Sequence, residues 1–126
     1  MRSLYVPLSV LILLLALSLQ AGARVDRLST QWVDALDRAD TLAQSGRWDL
    51  ARSLLLDTAG SWQAEQRLLR AIADHGALES IWSNLAGALT ACEEEDPVEF
   101  RILLSQSRQQ LKALATAQAL SIENVL

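Results

Sequence analysis

VDRLSTQWVDALDRADTLAQSG, residues 25–46, is the stretch that decides how this chain folds. Val25, Leu28, Trp32, Ala35, Leu36, Ala39, Leu42 and Ala43 recur at steps of three and four, the spacing that gathers one apolar stripe on a helix. Asp34, Asp37, Arg38 and Asp40 fall mainly off that stripe, and Ser45-Gly46 supplies a flexible stop at which the chain can reverse.

The same period continues downstream. A second helix is predicted from Arg47-Trp48-Asp49 to about Asp74, inward through Ala51, Leu54, Leu55, Thr58, Trp62, Leu68, Leu69 and Ile72, as one long element closed by His75-Gly76. Gly60 inside it costs up to about 1 kcal/mol relative to Ala and offers a bend or a close approach. A third helix is predicted from about Leu78 to Glu94, with Leu78, Ile81, Trp82, Leu85, Ala88, Leu89 and Cys92 on one face. Glu93-Glu94-Glu95-Asp96 and Pro97 end it and open a fourth, whose inward set is Val98, Phe100, Leu103, Leu104, Ser107, Leu111, Leu114 and Ala115. An apolar tail, LSIENVL at 120–126, is expected to dock.

No alternating β pattern occurs and the linkers are short, so consecutive helices should run antiparallel. The fold class is all-α: an antiparallel four-helix bundle of two helical hairpins, preceded by an N-terminal transmembrane or signal helix. A shift of 49 residues aligns Leu36 with Leu85, Ala39 with Ala88, Ala43 with Cys92, Leu54 with Leu103, Leu55 with Leu104 and Trp62 with Leu111, as expected if each hairpin is one repeat unit. The Gly46–Ala51 turn is a poor match to tetratricopeptide-type repeats.

Upstream of the stripe, residues 4–23 carry no charge, and twenty residues of helix rise about 30 Å, enough to cross the hydrocarbon core of a bilayer. No other segment is apolar on all faces, which disfavours reading it as a buried core helix of a cytosolic protein. Residues 1–23 therefore read as a membrane anchor or signal peptide and 24–126 as an extracytoplasmic bundle domain. Arg2 and the free amino terminus favour the N-terminus in the cytoplasm, although Arg24 and Arg27 follow the span. The expected location is the cell membrane, single-pass. The alternative is secretion after cleavage at Ala23, because Ala21-Gly22-Ala23 fits the small-x-small rule.

Charge and composition narrow the function classes. Of the 11 basic residues only Arg2 precedes residue 24, whereas all 15 acidic residues follow it, leaving −5 on the remainder. With Lys112 the single lysine, there is no basic cluster to neutralise phosphates, so nucleic acid is not an expected partner. The lone Cys92 permits neither an intrachain disulfide nor a multi-thiolate metal site, and its register with Leu85 and Leu89 makes it a small buried hydrophobe. The Glu93–Asp96 run lacks the spacing and glycine of a calcium loop. His75 is the only histidine; Asp74 or Glu79 could partner it in acid–base work, but a helix end is where imidazoles commonly meet the last carbonyls. Trp32, Trp62 and Trp82 sit on apolar stripes, whereas Trp48 opens its helix beside a glycine turn, free to pack or to meet a partner or membrane interface. No catalytic, cofactor or metal set is expected. The candidate interaction residues are Trp48, His75 and Glu79.

The apolar leader, the Gly46-Arg47-Trp48-Asp49 turn with Ala51, Trp62, the run from Asp74 to Ile81, and the closing 120–126 segment together resemble a bacterial family known as domain of unknown function 4363. The resemblance spans nearly the whole chain and implies a small membrane-anchored helical protein of the cell envelope. Its motifs are packing and turn residues, so it implies no activity, and this chain is richer in Arg, Ala and Leu than that family's usual Lys/Glu character. The expectation is a non-enzymatic protein-interaction module that contacts an envelope protein. The alternative is a small-ligand or cation-binding protein using a groove near His75 and Glu79.

Overall fold

The computed structural model of the chain describes residues 2–125, with side chains described for 5–117. It is all-α: α1 (Arg2–Gln44), α2 (Trp48–Ala64), α3 (Gln66–Ile72), α4 (His75–Glu93) and α5 (Pro97–Val125), with no strand among the described residues. The four long helices form a ring in which α1 packs on α2 and α5, and α4 packs on α2 and α5. Cross-helix bonds fix the directions. Arg24 meets Glu65 while Trp32 meets Ser61, and Arg108 meets Asp37 while Arg101 meets Asp40, so α1 is antiparallel to both neighbours. Asn84 donates to Gln110 at 2.7 Å and Gly87 lies against Leu103, so α4 and α5 are antiparallel too.

α1 is continuous from the uncharged segment into the bundle, with no helix break at residues 23–24. Its 43 residues span about 65 Å. Leu8, Leu11, Leu14 and Leu17 stand exposed, whereas Val25, Trp32, Leu36 and Ala39 are core, so one helix changes surroundings at Arg24.

The 49-residue repeat is visible in packing and in backbone geometry. Leu36 and Leu85, Ala39 and Ala88, Ala43 and Cys92, Leu55 and Leu104, and Trp62 and Leu111 are all buried. Thr58 and Ser107, also one repeat apart, are buried hydroxyls that donate to the carbonyl four residues back, Leu54 at 2.8 Å and Leu103 at 2.9 Å. The two hairpin turns match as well. Gly46 N donates to Ala43 O and Arg47 N to Leu42 O; Glu95 N donates to Cys92 O and Asp96 N to Ala91 O. Both are Schellman closures that need a left-handed residue after the helix. Gly46 supplies it at φ 78°, whereas Glu95 adopts φ 53° with a Cβ in the way. Glu95→Gly is accordingly expected to stabilise the bundle by about 1 kcal/mol, read as a raised urea midpoint with an unchanged slope.

Ser29 breaks the repeat. Its counterpart is the buried Leu78, and its own hydroxyl is buried with no hydrogen-bond partner among the described residues. Ser29→Ala is expected to raise stability by roughly 1 kcal/mol in the same assay.

Three expectations need correction. The segment from Arg47 to Asp74 is two helices, and the break falls at Glu65 (φ −97°, ψ 12°), not at Gly60, which faces open space within α2. Glu65 N is shared between the Ser61 and Trp62 carbonyls at 3.3 Å each, and Arg24 draws its carboxylate towards α1. That turn lets Leu69 reach the core. Next, His75 does not close the second helix: Asp74 is the N-cap of α4, its carboxylate accepting from Ala77 N at 3.3 Å. Finally, Val98 and Trp82 are 68% and 37% exposed. The seam of α4 runs through Leu78, Ile81, Leu85, Ala88 and Cys92, which leaves Trp82 at its edge. The 120–126 segment continues α5 to Val125; its expected docking lies outside the described side chains.

Candidate functional site

Antiparallel packing sorts the chain into two ends. One carries the 45–47 and 94–96 turns, the other the α2–α3–α4 connection, where α1 enters the bundle.

At the entry end, Arg24, the first charge after the uncharged run, donates to both carboxylate oxygens of Glu65, at 2.7 and 3.3 Å. The hydrogen bond first, and the carboxylate's charge second, hold the guanidinium still more firmly protonated. About two turns further along α1, Trp32 Nε1 donates to Ser61 Oγ at 2.9 Å and its ring meets Trp62 edge-on, centroids 5.2 Å apart. Beyond Glu65, the seven-residue α3 buries Leu69 and leaves Arg67 and Arg70 exposed, three residues apart on one face. His75 and Glu79 follow on the first turns of α4, His75 Nε2 and Glu79 Oε1 3.0 Å apart, one helical turn of spacing. An open groove of about 600 Å³ gathers Trp62, Gln66, Arg70, His75, Glu79 and Trp82 along its walls.

The structure therefore places His75 and Glu79 together, and Trp48 elsewhere. Trp48 lies at the far end, half-buried and edge-on to Phe100 with centroids 5.4 Å apart, its carbonyl accepting from the Cys92 thiol at 3.5 Å. His75 and Glu79 are 74% and 70% exposed, so water screens their pairing, and among the described residues no third group orients the imidazole. Arg67 and Arg70 are face residues that the sequence did not single out, and Trp82, expected on the apolar stripe, walls the groove instead. The signal for Trp82 was its phase, one step off the seam; the arginines sit in a helix whose separate existence was not foreseen.

The acidic run serves the far turn. Asp96 Oδ1 accepts from Glu99 N at 3.2 Å at the start of α5, and Glu93 lies 3.5 Å from Arg52. No group of three or more metal-ligating side chains is assembled among the described residues.

Cys92 is 2% exposed. Burial is the main force pushing its thiol above the ordinary range; Arg52 opposes it, and Glu93, Glu95 and Asp49 add to it. Because the folded pKa exceeds the unfolded one, both states keep the proton below the ordinary thiol range of about 8.5, and above it the unfolded chain loses its proton first. Stability is expected to fall as pH rises through that range, and Cys92→Ala should flatten the decline. A disulfide reagent should label Cys92 only as fast as the bundle opens, so labelling of the native protein at a rate close to that of a free thiol would contradict the buried placement.

A sequence profile described as Domain of unknown function (DUF4363) matches residues 21–125. No curated protein and no solved structure matches the chain.

Proposed function

The chain belongs to the domain of unknown function 4363 family, and from that premise we propose that it is a non-enzymatic module, held at a bacterial cell membrane by residues 4–23 and acting by contact with another envelope protein. The observation that carries the membrane part is the division of α1: a first half that leaves Leu8, Leu11, Leu14 and Leu17 outside any core, and a second half packed into the bundle. Soluble proteins rarely leave so large a contiguous apolar patch uncovered. This is the one helix among the described residues long and apolar enough to cross a membrane, and a signal sequence has the same character. With Arg2 on the cytoplasmic side, the bundle would lie on the extracytoplasmic side.

Contact is preferred over catalysis because the groove's histidine is paired with an exposed carboxylate and screened by water. Fractionation followed by N-terminal sequencing tests the anchor: full-length protein in washed membranes is expected, and a mature form beginning at Arg24 in the medium would replace the anchor with a cleaved signal. A C-terminal alkaline phosphatase fusion reports the side, with activity expected. Crosslinking in cells followed by detergent extraction is expected to recover one specific envelope protein.

The convergence of His75 and Glu79 on an open groove favours one second reading, a small-ligand or cation site. Addition of calcium or zinc to the detergent-solubilised protein would then perturb the His75 ring resonances saturably, and a His75→Ala, Glu79→Gln variant would abolish the response.

A further inference from the structure

We propose that the α3 face bearing Arg67 and Arg70, with the adjoining groove walled by Trp82, is a docking surface for the anionic lipid headgroups of the membrane that holds α1. The inference rests on the membrane-anchor reading above and adds a partner to it.

The placement follows from one contact. Arg24 ends the uncharged run and is clamped to Glu65, the residue at which α2 turns into α3. If residues 4–23 fill the hydrocarbon, Arg24 lies at its edge, and α3 is therefore held at headgroup depth. A helix carried there meets phosphates.

The chemistry of that end fits. Glu65 is neutralised by Arg24, and the other acids at this end, Asp26, Asp74 and Glu79, are matched in number by Arg27, Arg67 and Arg70; of these, Arg67 and Arg70 stand exposed side by side on α3 with no ion pair among the described residues. The excess acidity of the domain lies away from it: the Glu93–Asp96 run and Asp49 occupy the opposite end, so the bundle's charge is graded along its axis. An anionic surface repels the acidic end and not the α3 end, where the Arg67–Arg70 face offers it two unpaired cations. Cations beside such a surface each contribute about fivefold to the association constant at moderate ionic strength. Trp82 adds an indole, 37% exposed, in the groove that also holds Arg70, and amphipathic indoles favour the headgroup layer.

The test uses the full chain reconstituted in vesicles of phosphatidylcholine alone, or of phosphatidylcholine mixed with phosphatidylglycerol. Headgroup-proximal quencher lipids report on tryptophan fluorescence, and the Trp82 share is the difference between the parent and Trp82→Phe. In the mixed vesicles that share should be quenched several-fold more than in phosphatidylcholine. An Arg67→Gln, Arg70→Gln variant should lose the difference, as should high salt, while the chain stays in the membrane. These residues are exposed, so an unchanged urea midpoint verifies that folding is intact. Inorganic phosphate added to phosphatidylcholine vesicles should leave quenching unchanged. If phosphate alone reproduced the effect, the site would be for a soluble anion and the headgroup proposal would fall. Equal quenching in both lipids, with the chain resistant to carbonate extraction, would overturn the docking surface and leave the anchor standing. Failure of the chain to float with either vesicle would remove the anchor and the docking surface together.

Discussion

Trp62→Ala should destabilise the bundle by about 3–5 kcal/mol, the largest loss expected of any single truncation here. Trp62 is the bulkiest of the fully buried side chains, 1% exposed, and its ring forms the edge-on pair with Trp32. Truncation removes apolar contact and leaves a cavity that rigid neighbouring helices fill poorly. It also forfeits the aromatic pairing, worth roughly 0.5–1.5 kcal/mol beyond area. Domains of this size have only about 5–15 kcal/mol in hand, so the variant would sit near the unfolding threshold. Urea unfolding of detergent-solubilised protein, followed by far-ultraviolet circular dichroism, measures the loss. Trp62→Phe should recover more than half of it by filling most of the space. A loss below about 1 kcal/mol for Trp62→Ala would mean that this side chain is not a core residue.

The second large effect concerns location. Leu11→Arg with Leu14→Arg places two guanidinium groups near the middle of the uncharged run, at about 2.5–3.5 kcal/mol each against insertion. The double variant is expected to leave the carbonate-washed membrane fraction almost entirely. Both positions are more than half exposed and outside the core, so the bundle's unfolding midpoint should not move. Retention of the variant in washed membranes would overturn residues 4–23 as the anchor. The pairing of a lost location with a preserved midpoint separates a targeting defect from a folding defect.

The helical period made the bundle legible because nearly every inward position obeys it. The 49-residue register went further than apolar matching: it also placed Thr58 opposite Ser107 and Gly46 opposite Glu95, pairs whose likeness lies in hydrogen bonding and backbone hand, not hydrophobicity. The α2–α3 break was not legible. Glycine was the only visible interruption, whereas the actual turn falls at Glu65, whose carboxylate is held by Arg24, a contact 41 residues away in the chain. His75 was misplaced for a related reason, since its glycine neighbour suggested a stop while Asp74, one residue earlier, was the start signal. The misplaced helix end carried the functional reading with it: Arg67 and Arg70 look like an ordinary solvated face until α3 is seen at the entry end.

The unbroken α1 has a mechanical consequence. Sharp kinks arise at prolines, glycine–serine pairs or bulges, and the one proline in α1 is Pro7, far from the junction at Arg24. Whatever inclines the first five turns inclines the rest with them, as a lever does. Over the roughly 30 Å from Arg24 to the Gly46 turn, a change of about 10° displaces that turn by some 5 Å. A neighbour gripping the far tip would thus register how the leading segment leans.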